Sequence, residues 1–345
     1  MTLKILGGRV AAIMAATAGL SLAMLTLAPR EAQAEDFYAG KTIRIITSAD
    51  AASTYTTYPQ LVAQHLGRFI PGAPNIIVQT MPGAGGIVAA NYMAALAPRD
   101  GTVLASVHDT LTMTQVLTPG DVKFDMSKFN WIGVVTRMTS TLTVSDRSPA
   151  TTVEGAKKTE VILGSSGPGS ITHILPMLLN HMYGTKYKIV GGYSGLGQMN
   201  MAIERNEIHG RAGSLTSWQQ VSGPLAGHMV HVVQVNLARD PLLPDTPLLT
   251  DFARNERERA MLEFMSSSGI VGRSLFAPPD VPKDRVEILR KAFDAMVTDP
   301  VFLADAKKRQ HDIDPVKGEV VEAAIRKTIQ LPAEDAAKLR AALGM

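Results

Sequence analysis

Apolar positions along this chain fall into two alternating patterns, short runs typical of strands and a wider spacing typical of helices. The clearest helical pattern spans 58–69, where apolar side chains recur at the i, i+3, i+4, i+7 spacing of one face and Pro59 occupies the first turn. His65 lies on that apolar face. A histidine in such a position more often makes its hydrogen bonds within the protein core than it binds a ligand. Strand and helix patterns alternate through most of the chain, which predicts parallel sheets covered by helices.

The same patterns give approximate element bounds. The predicted strands are 43–46, 75–79, 102–107, 129–135, 141–144, 160–163, 187–190, 208–212 and 230–235. Further helices are predicted at 88–96, 171–182, 198–205 and 286–296, and the last 25 residues or so are helical in composition. Pro176 inside 171–182 predicts a kink or a later helix start. Asp299 followed by Pro300 predicts the cap and first turn of another helix.

The first 34 residues have the features of an export signal. Lys4 and Arg9 precede an uncharged apolar stretch, and Ala32 and Ala34 flank Gln33 in the small-residue pattern that signal peptidase cleaves. We expect cleavage after Ala34, a signal peptide at 1–34 and a soluble periplasmic protein. An uncleaved membrane anchor is the alternative, because the stretch is about long enough to span a bilayer.

Composition narrows the possible ligands. The 34 basic and 31 acidic residues include three basic and one acidic residue of the expected signal, so the mature chain has a net charge of only +1. No basic run with interleaved aromatics is present, which argues against nucleic acid. Cysteine is absent, and a chain of this length builds its core without disulfides. Any bound anion must therefore be held by local groups and not by a global positive field.

Gly-, Ser- and Thr-rich turns follow several predicted strands. They lie at 47–57, 81–87, 106–112, 164–172, 191–197 and 213–217. In open parallel sheets ligands bind beyond the carboxyl ends of strands, and helix N-termini there supply N–H groups for carboxylates or phosphates. For any single turn, the Gly and Ser residues are also explained by helix capping without a ligand. His108, Asp109 and His173 lie beside these turns, and for His173, in the first turn of its predicted helix, ligand contact and a capping or packing role are the two interpretations. Arg137 and Arg211 are candidate counter-ions for the ligand, with surface salt bridges as the alternative.

Enzyme and metal motifs are incomplete. Residues 83–88 lack the third glycine of a dinucleotide fingerprint, and residues 164–168 do not fit the G-x-S-x-G elbow of hydrolases. No Walker lysine follows a Gly-rich turn. His228 and His231 form the only close histidine pair, which is weak support for a metal site. We therefore expect no enzymatic activity, no cofactor and no bound metal.

Several segments resemble the substrate-binding proteins of tripartite tricarboxylate transporters, the Bug family. They read KTIRII at 41–46, MPGAGG at 81–86, APRDGT at 97–102, GSSGPGS at 164–170 with TH at 172–173, and PDVP at 279–282 with LRKAF at 289–293. The glycine-rich element and the GSSGPGS element are specific in combination. The first turn departs from the family, which commonly has a Gly-rich turn followed by an Asp. Here 48–56 reads SADAASTYT, with Thr56 near the place of that Asp.

The resemblance implies a two-lobe periplasmic binding protein fold (type II-like) of mostly parallel sheets flanked by helices, with the ligand in the interlobe cleft. Lobe 1 would comprise 35–140 plus 272–345, and lobe 2 would comprise 141–271. It implies a small carboxylate as ligand and membrane permease subunits as partners. The expected ligand-binding residues are Ser48, Thr54, Tyr55, His108, Asp109, Ser165, Ser166, Ser170, His173, Tyr193 and Ser214.

Two alternative functions remain at this point. The same fold serves as an extracytoplasmic sensor component that presents its ligand to a membrane sensor kinase, and sequence does not separate that role from transport. A hydrolase that uses a serine of 164–170 with His173 is the other alternative, although no orienting acid and no strained elbow support it.

Overall fold

The computed structural model describes residues 37–49, 54–166, 170–193, 196–219, 221 and 223–344. The expected signal peptide, with its cleavage position, lies outside the described residues. Among the described helices, none combines the length and the apolar character needed to cross a bilayer.

Two separate β-sheets organise the described chain. The first has six strands in the order β11-β4-β10-β3-β1-β2, and the second has five in the order β7-β6-β8-β5-β9. The strands of the first sheet are β1 (Thr42–Thr47), β2 (Asn75–Thr80), β3 (Val103–Ser106), β4 (Asn130–Val134), β10 (Ser274–Ala277) and β11 (Val316–Lys317). Those of the second are β5 (Ser140–Ser145), β6 (Val161–Gly164), β7 (Tyr187–Val190), β8 (Gly210–Ser214) and β9 (Met229–Val235).

Both sheets are mixed, so the expectation of mostly parallel sheets is wrong in this respect. Strands β1, β2 and β3 pair in parallel, as do β6, β7 and β8, whereas β4, β10 and β11, and likewise β5 and β9, add antiparallel pairs. The chain leaves the first sheet along β4 and returns to it along β10. In the same way it enters the second sheet along β5 and leaves it along β9. A strand that carries the chain out of a sheet and one that brings it back run in opposite directions, so β4 pairs antiparallel with β10 and β5 with β9.

Thirteen α-helices accompany the sheets in the described residues. They are α1 (Thr54–His65), α2 (Ile87–Ala95), α3 (Leu111–Leu117), α4 (Val153–Lys158), α5 (Ile171–Tyr183), α6 (Leu196–Glu204), α7 (Leu215–Gln219), α8 (Glu256–Ser266), α9 (Ser268–Val271), α10 (Lys283–Met296), α11 (Pro300–Lys308), α12 (Gly318–Thr328) and α13 (Ala333–Leu343).

Helix positions follow the apolar spacing, but their ends depend on local chemistry. The Asp299 side chain accepts a hydrogen bond from the Phe302 backbone N–H at 2.9 Å with Pro300 at the first helical position, as predicted. By contrast α1 begins at Thr54, earlier than predicted, so Pro59 lies inside it, and α5 begins at Ile171 and not later. Helix α3 had no predicted bounds, because its seven residues are too few for a period to show.

Each sheet is covered on both faces by apolar side chains. The last helix, α13, packs its Leu339 and Leu343 into the core of the second sheet, together with Met113 and Leu117 of α3. Helices that precede and follow the second sheet in the chain thus both pack against it. The lobe boundaries expected from sequence stay a prediction, and this packing shows that the contacts of α13 run to the second sheet.

The two crossings between the sheets run side by side. The Val135 backbone N–H donates to the Arg273 carbonyl at 2.9 Å, and the Met138 N–H donates to the Gly269 carbonyl at 2.9 Å. A Cβ at Gly269 would come within 2.5 Å of the Met138 carbonyl oxygen. The glycine therefore permits the close approach of the connections that join the sheets.

Candidate functional site

A cleft of about 720 Å³ lies where the turns of the two sheets face each other. The first sheet contributes turns after β1 and β3, whose parallel register pairs Thr47 with Ser106 and so brings their carboxyl ends together. The second contributes the N-terminal ends of α5 and α6 and the end of β8. Six of the expected ligand-binding residues line this cleft: Tyr55, His108, Asp109, Ser166, Ser170 and Ser214.

Ser48 supports the cleft wall from behind. Its Oγ accepts a hydrogen bond from the His108 backbone N–H at 3.1 Å and lies 2.7 Å from His108 Nδ1. In this contact the hydroxyl donates to Nδ1 when the imidazole proton is on Nε2, and it accepts from Nδ1–H in the other tautomer. Burial lowers the pKa of His108, with the Asp109 charge acting in the opposite direction, so the ring is neutral at pH 7.

Gly86, the last residue of the MPGAGG segment, fits against this pair. Its φ is 96°, in the left-handed region, and a Cβ there would lie 3.1 Å from His108 Nδ1 and 3.2 Å from Ser48 Cβ. Any side chain at this position would push against the Ser48–His108 contact. The glycine-rich segment therefore positions the cleft wall through close packing.

Tyr55 connects three groups of the same wall. Its hydroxyl donates a very short hydrogen bond to Asp109, its ring lies 4.3 Å from that of His108, and the Arg273 guanidinium lies 3.9 Å from its ring centroid. Burial, reinforced by the Asp109 charge, raises the pKa of Tyr55 far above its usual range. The phenol therefore stays protonated and remains a hydrogen-bond donor at physiological pH.

The opposite wall is built of hydroxyl groups around Thr172. This buried side chain accepts a hydrogen bond from the Ser166 backbone N–H at 3.0 Å and lies 3.3 Å from Ser166 Oγ. It also makes a very short contact with the Ser170 hydroxyl at the N-terminal end of α5. Thr172 thus fixes two serines at the start of a 13-residue helix, where backbone N–H groups favour an anion.

Arg211 lies behind this wall. The side chain is fully buried, and its Nε donates to Asn200 Oδ1 at 2.8 Å. The guanidinium lies 3.6 Å from the Trp218 ring centroid, and within the described part of the chain no carboxylate pairs with it. Burial lowers the pKa of Arg211 to about 9. The group is therefore a cation at neutral pH whose charge is not cancelled by a neighbouring acid.

A short chain of contacts links Arg211 to the cleft. Its Nη1 lies 3.5 Å from Ser217 Oγ, and Ser217 in turn donates from its hydroxyl to the Ser214 carbonyl at 2.6 Å and from its backbone N–H to Ser214 Oγ at 3.2 Å. Ser214 and Gly213 line the cleft. The buried charge thus lies one residue behind the lining.

The remaining expected residues do not form part of the described lining. Ser165 is fully buried, and its backbone N–H donates to the Val190 carbonyl at 2.8 Å. His173 is half-buried on α5, and Tyr193 packs against the small apolar cluster around Trp218. The side chain of Thr54, the first residue of α1, lies outside the described residues.

Of the two arginines singled out in the sequence, Arg137 is committed elsewhere. Its guanidinium makes two hydrogen bonds with the Asp314 carboxylate, at 2.7 and 2.8 Å, and about two-fifths of its side chain is exposed. Arg273 was missed, although it lines the cleft and is 8% exposed. The signal in the sequence was a single arginine directly before the mostly apolar run 274–277, since a charge carried into a core by such a strand requires a polar environment.

The histidines and serines do not form a catalytic or metal centre in the described residues. His65 Nε2 lies 3.0 Å from Asp305, which satisfies it within the fold. The described contact of the Ser166 hydroxyl is with Thr172 and not with His173. No group of three or more potential metal ligands occurs in the part of the chain that the structure describes.

Known proteins resemble this chain in sequence and in fold. Residues 62–341 match the model of the tripartite tricarboxylate transporter family receptor, TctC. A UPF0065 protein of Agrobacterium vitis is 27% identical over 285 residues, which is 81% of this chain and 78% of that protein. A TctC solute binding protein from Polaromonas superimposes with a TM-score of 0.66 at 20% identity, covering 89% of this chain and 99% of that one. The R. palustris protein Rpa4515, solved with adipate, gives a TM-score of 0.60 at 18% identity over 88% of this chain and 97% of its own.

The structural likenesses are too low in identity to show more than the fold, and they confirm the two-lobe periplasmic binding protein architecture expected from sequence. The family match is broader evidence, because it extends over most of the chain and includes the whole second sheet and five of the six strands of the first. This chain therefore belongs to the tripartite tricarboxylate transporter family receptors, which are solute-binding proteins and not enzymes.

Proposed function

We propose that this protein is a periplasmic receptor that closes its two lobes on a small carboxylate and delivers it to the membrane subunits of a tripartite transporter. The observation that carries the proposal is the second-sheet wall of the cleft. There Ser166, Ser170 and Ser214 present hydroxyl groups at the start of α5 and at the end of β8, with the Arg211 cation directly behind. An anion placed there meets hydrogen-bond donors and a positive charge together.

The first-sheet wall supports the same proposal. Tyr55 and the neutral His108 offer hydrogen-bonding groups, and Arg273 adds a guanidinium to the lining. Ligand contact from both walls favours the closed state by differential affinity, which is how a binding protein of this fold couples capture to closure. The adipate in the related R. palustris structure is a carboxylate, in agreement with the proposed ligand class.

Thermal melts with a panel of acids test the ligand class. A true ligand at about 100 times its Kd adds roughly 2.7 kcal/mol to the unfolding free energy and raises the melting temperature. Chloride at equal ionic strength and a neutral sugar serve as controls. A melting temperature that rises with a sugar or a cation, and with none of the acids, contradicts the proposal.

Delivery to a transporter needs a separate experiment. The receptor, loaded with the acid found in the melts, is used to capture solubilised membrane proteins, and the bound subunits are identified by mass spectrometry. Recovery of multi-span permease subunits is expected. Recovery of a histidine kinase in their place contradicts the transport role and leaves ligand binding intact.

A further inference from the structure

The cleft has an apolar surface that the carboxylate-binding wall does not use. Met138, Ile171, Ile174 and Leu196 are half-buried and line the cleft, together with the more deeply buried Met113. They come from α3, α5, α6 and the first crossing between the sheets. A ligand made only of carboxylates on a short carbon chain leaves this surface covered by water, whereas an apolar group of the ligand would displace that water favourably.

The charges of the cleft leave room for a single carboxylate. Among the described lining residues the charged ones are Asp109 and Arg273, which are opposite in sign, and His108 is neutral. Arg211, behind the lining, adds one positive charge without an acidic partner in the described chain. The undescribed residues of the neighbouring turns, 50–53, 167–169 and 194–195, include no lysine or arginine.

A second or third carboxylate would therefore be taken out of water without a cation of its own. Burying an ionised carboxylate is unfavourable unless it is paired and hydrogen-bonded. Each methylene of an apolar body that reaches the lining strengthens binding by up to about three- to fourfold. Both effects favour the same class of acid.

We propose that the ligand is a monocarboxylic acid with an apolar body. Its carboxylate lies against the second-sheet hydroxyls in front of Arg211, and its body packs against the apolar surface that includes Ile174 and Leu196. This inference rests on the proposed carboxylate-binding function and narrows it. It also separates this chain from a receptor built for citrate-like acids.

Calorimetric titration with a matched series tests the inference. Hexanoate, adipate and citrate have the same number of carbon atoms but one, two and three carboxylates, and acetate has the carboxylate without the body. Hexanoate is expected to bind at least about tenfold more tightly than each of the other three. Tighter binding of adipate or citrate, or acetate affinity within twofold of hexanoate, overturns the inference and leaves the carboxylate receptor in place. Failure of all four acids to bind overturns the proposed function itself.

Two variants on different helices test where the body packs. Ile174→Thr and Leu196→Thr should each weaken hexanoate binding about fivefold and leave acetate binding unchanged. Val301→Thr, at a site 58% exposed on α11, is the matched control and should change neither affinity. Melting of each free variant establishes that it is folded. Wild-type hexanoate affinity in both folded variants contradicts the assigned packing surface.

Discussion

The Arg211 guanidinium occupies the space that a side chain at Gly213 would need. A Cβ built on Gly213 comes within 2.4 Å of Arg211 Nη1 and within 3.1 Å of Ser217 Oγ. The two residues lie two positions apart on β8, so their side-chain directions share one face of the sheet. The glycine thus leaves room for the guanidinium, which contacts the Trp218 ring behind the cleft lining.

Gly213→Ala tests this relationship. The added methyl group has to displace the guanidinium, which should lower the unfolding free energy by about 1–3 kcal/mol through overpacking and weaken carboxylate binding. Urea unfolding and calorimetric titration measure the two effects. Gly120→Ala is the control, because nothing lies within 4 Å of a Cβ there. Equal stability of the two variants contradicts the assigned contact.

Arg211→Met tests the effect of the buried positive charge on ligand binding separately from its effect on the stability of the fold. A buried cation without an acidic partner costs free energy in the folded state, so an apolar replacement of similar length should leave stability unchanged or raise it by about 1–4 kcal/mol. Carboxylate affinity should fall about tenfold, because the positive charge behind Ser214 is lost. Arg137→Met, which breaks an exposed pair with Asp314, should cost at most about 1 kcal/mol and leave affinity unchanged. Unaltered affinity in Arg211→Met contradicts the electrostatic role.

Tyr55→Phe removes the donor to Asp109. Because the Asp109 side chain is buried, loss of this hydrogen bond should lower the unfolding free energy by about 1–3 kcal/mol. Ligand affinity should also fall, since the phenol lines the cleft. Tyr193→Phe removes a hydroxyl outside the described lining and should leave affinity unchanged. A larger affinity loss in Tyr193→Phe than in Tyr55→Phe reverses the assignment of the two tyrosines.

His108 should make the protein sensitive to mild acid. Its pKa in the folded protein lies below the value of about 6.5 in the unfolded chain. The unfolded chain therefore binds a proton first, and stability that is fully present above pH 6.5 declines as the pH falls through the folded pKa. His209, His231 and His311 have pKa values lowered in the same direction by burial, so they add to the effect.

His108→Gln isolates the contribution of this residue. Melting temperatures at pH 5.5 and pH 7.5 should differ less in the variant than in the wild-type protein, because glutamine has no proton to gain. Thr110→Gln, at a half-buried lining position without a titratable side chain, is the control, and its difference should match that of the wild type. An equal difference in His108→Gln and wild type contradicts the assignment.

Local sequence patterns predicted the positions of helices and strands better than they predicted which elements pack together. The face formed by Val286, Leu289, Phe293 and Met296 is buried along one side of α10, as its spacing indicated. The cap at Asp299 and the turn residues Ser166 and Ser170 were also located from neighbours in the chain. In these cases the physical cause, a helical period or a capping side chain, acts over a few residues and is visible in sequence.

The contacts that shape the cleft join distant parts of the chain. Arg273 lies against Tyr55 only because β10 returns to the first sheet after the whole second sheet has been built. Sequence also left open whether Arg137 or Arg211 carries an uncompensated charge, since an ion pair such as Arg137–Asp314 depends on tertiary proximity. The sequence by itself determined the family, the alternation of elements and most of the hydroxyl-bearing turns. The tertiary structure decided which side chains meet in the cleft and which charges are cancelled, because both depend on distances that neither period nor spacing encodes.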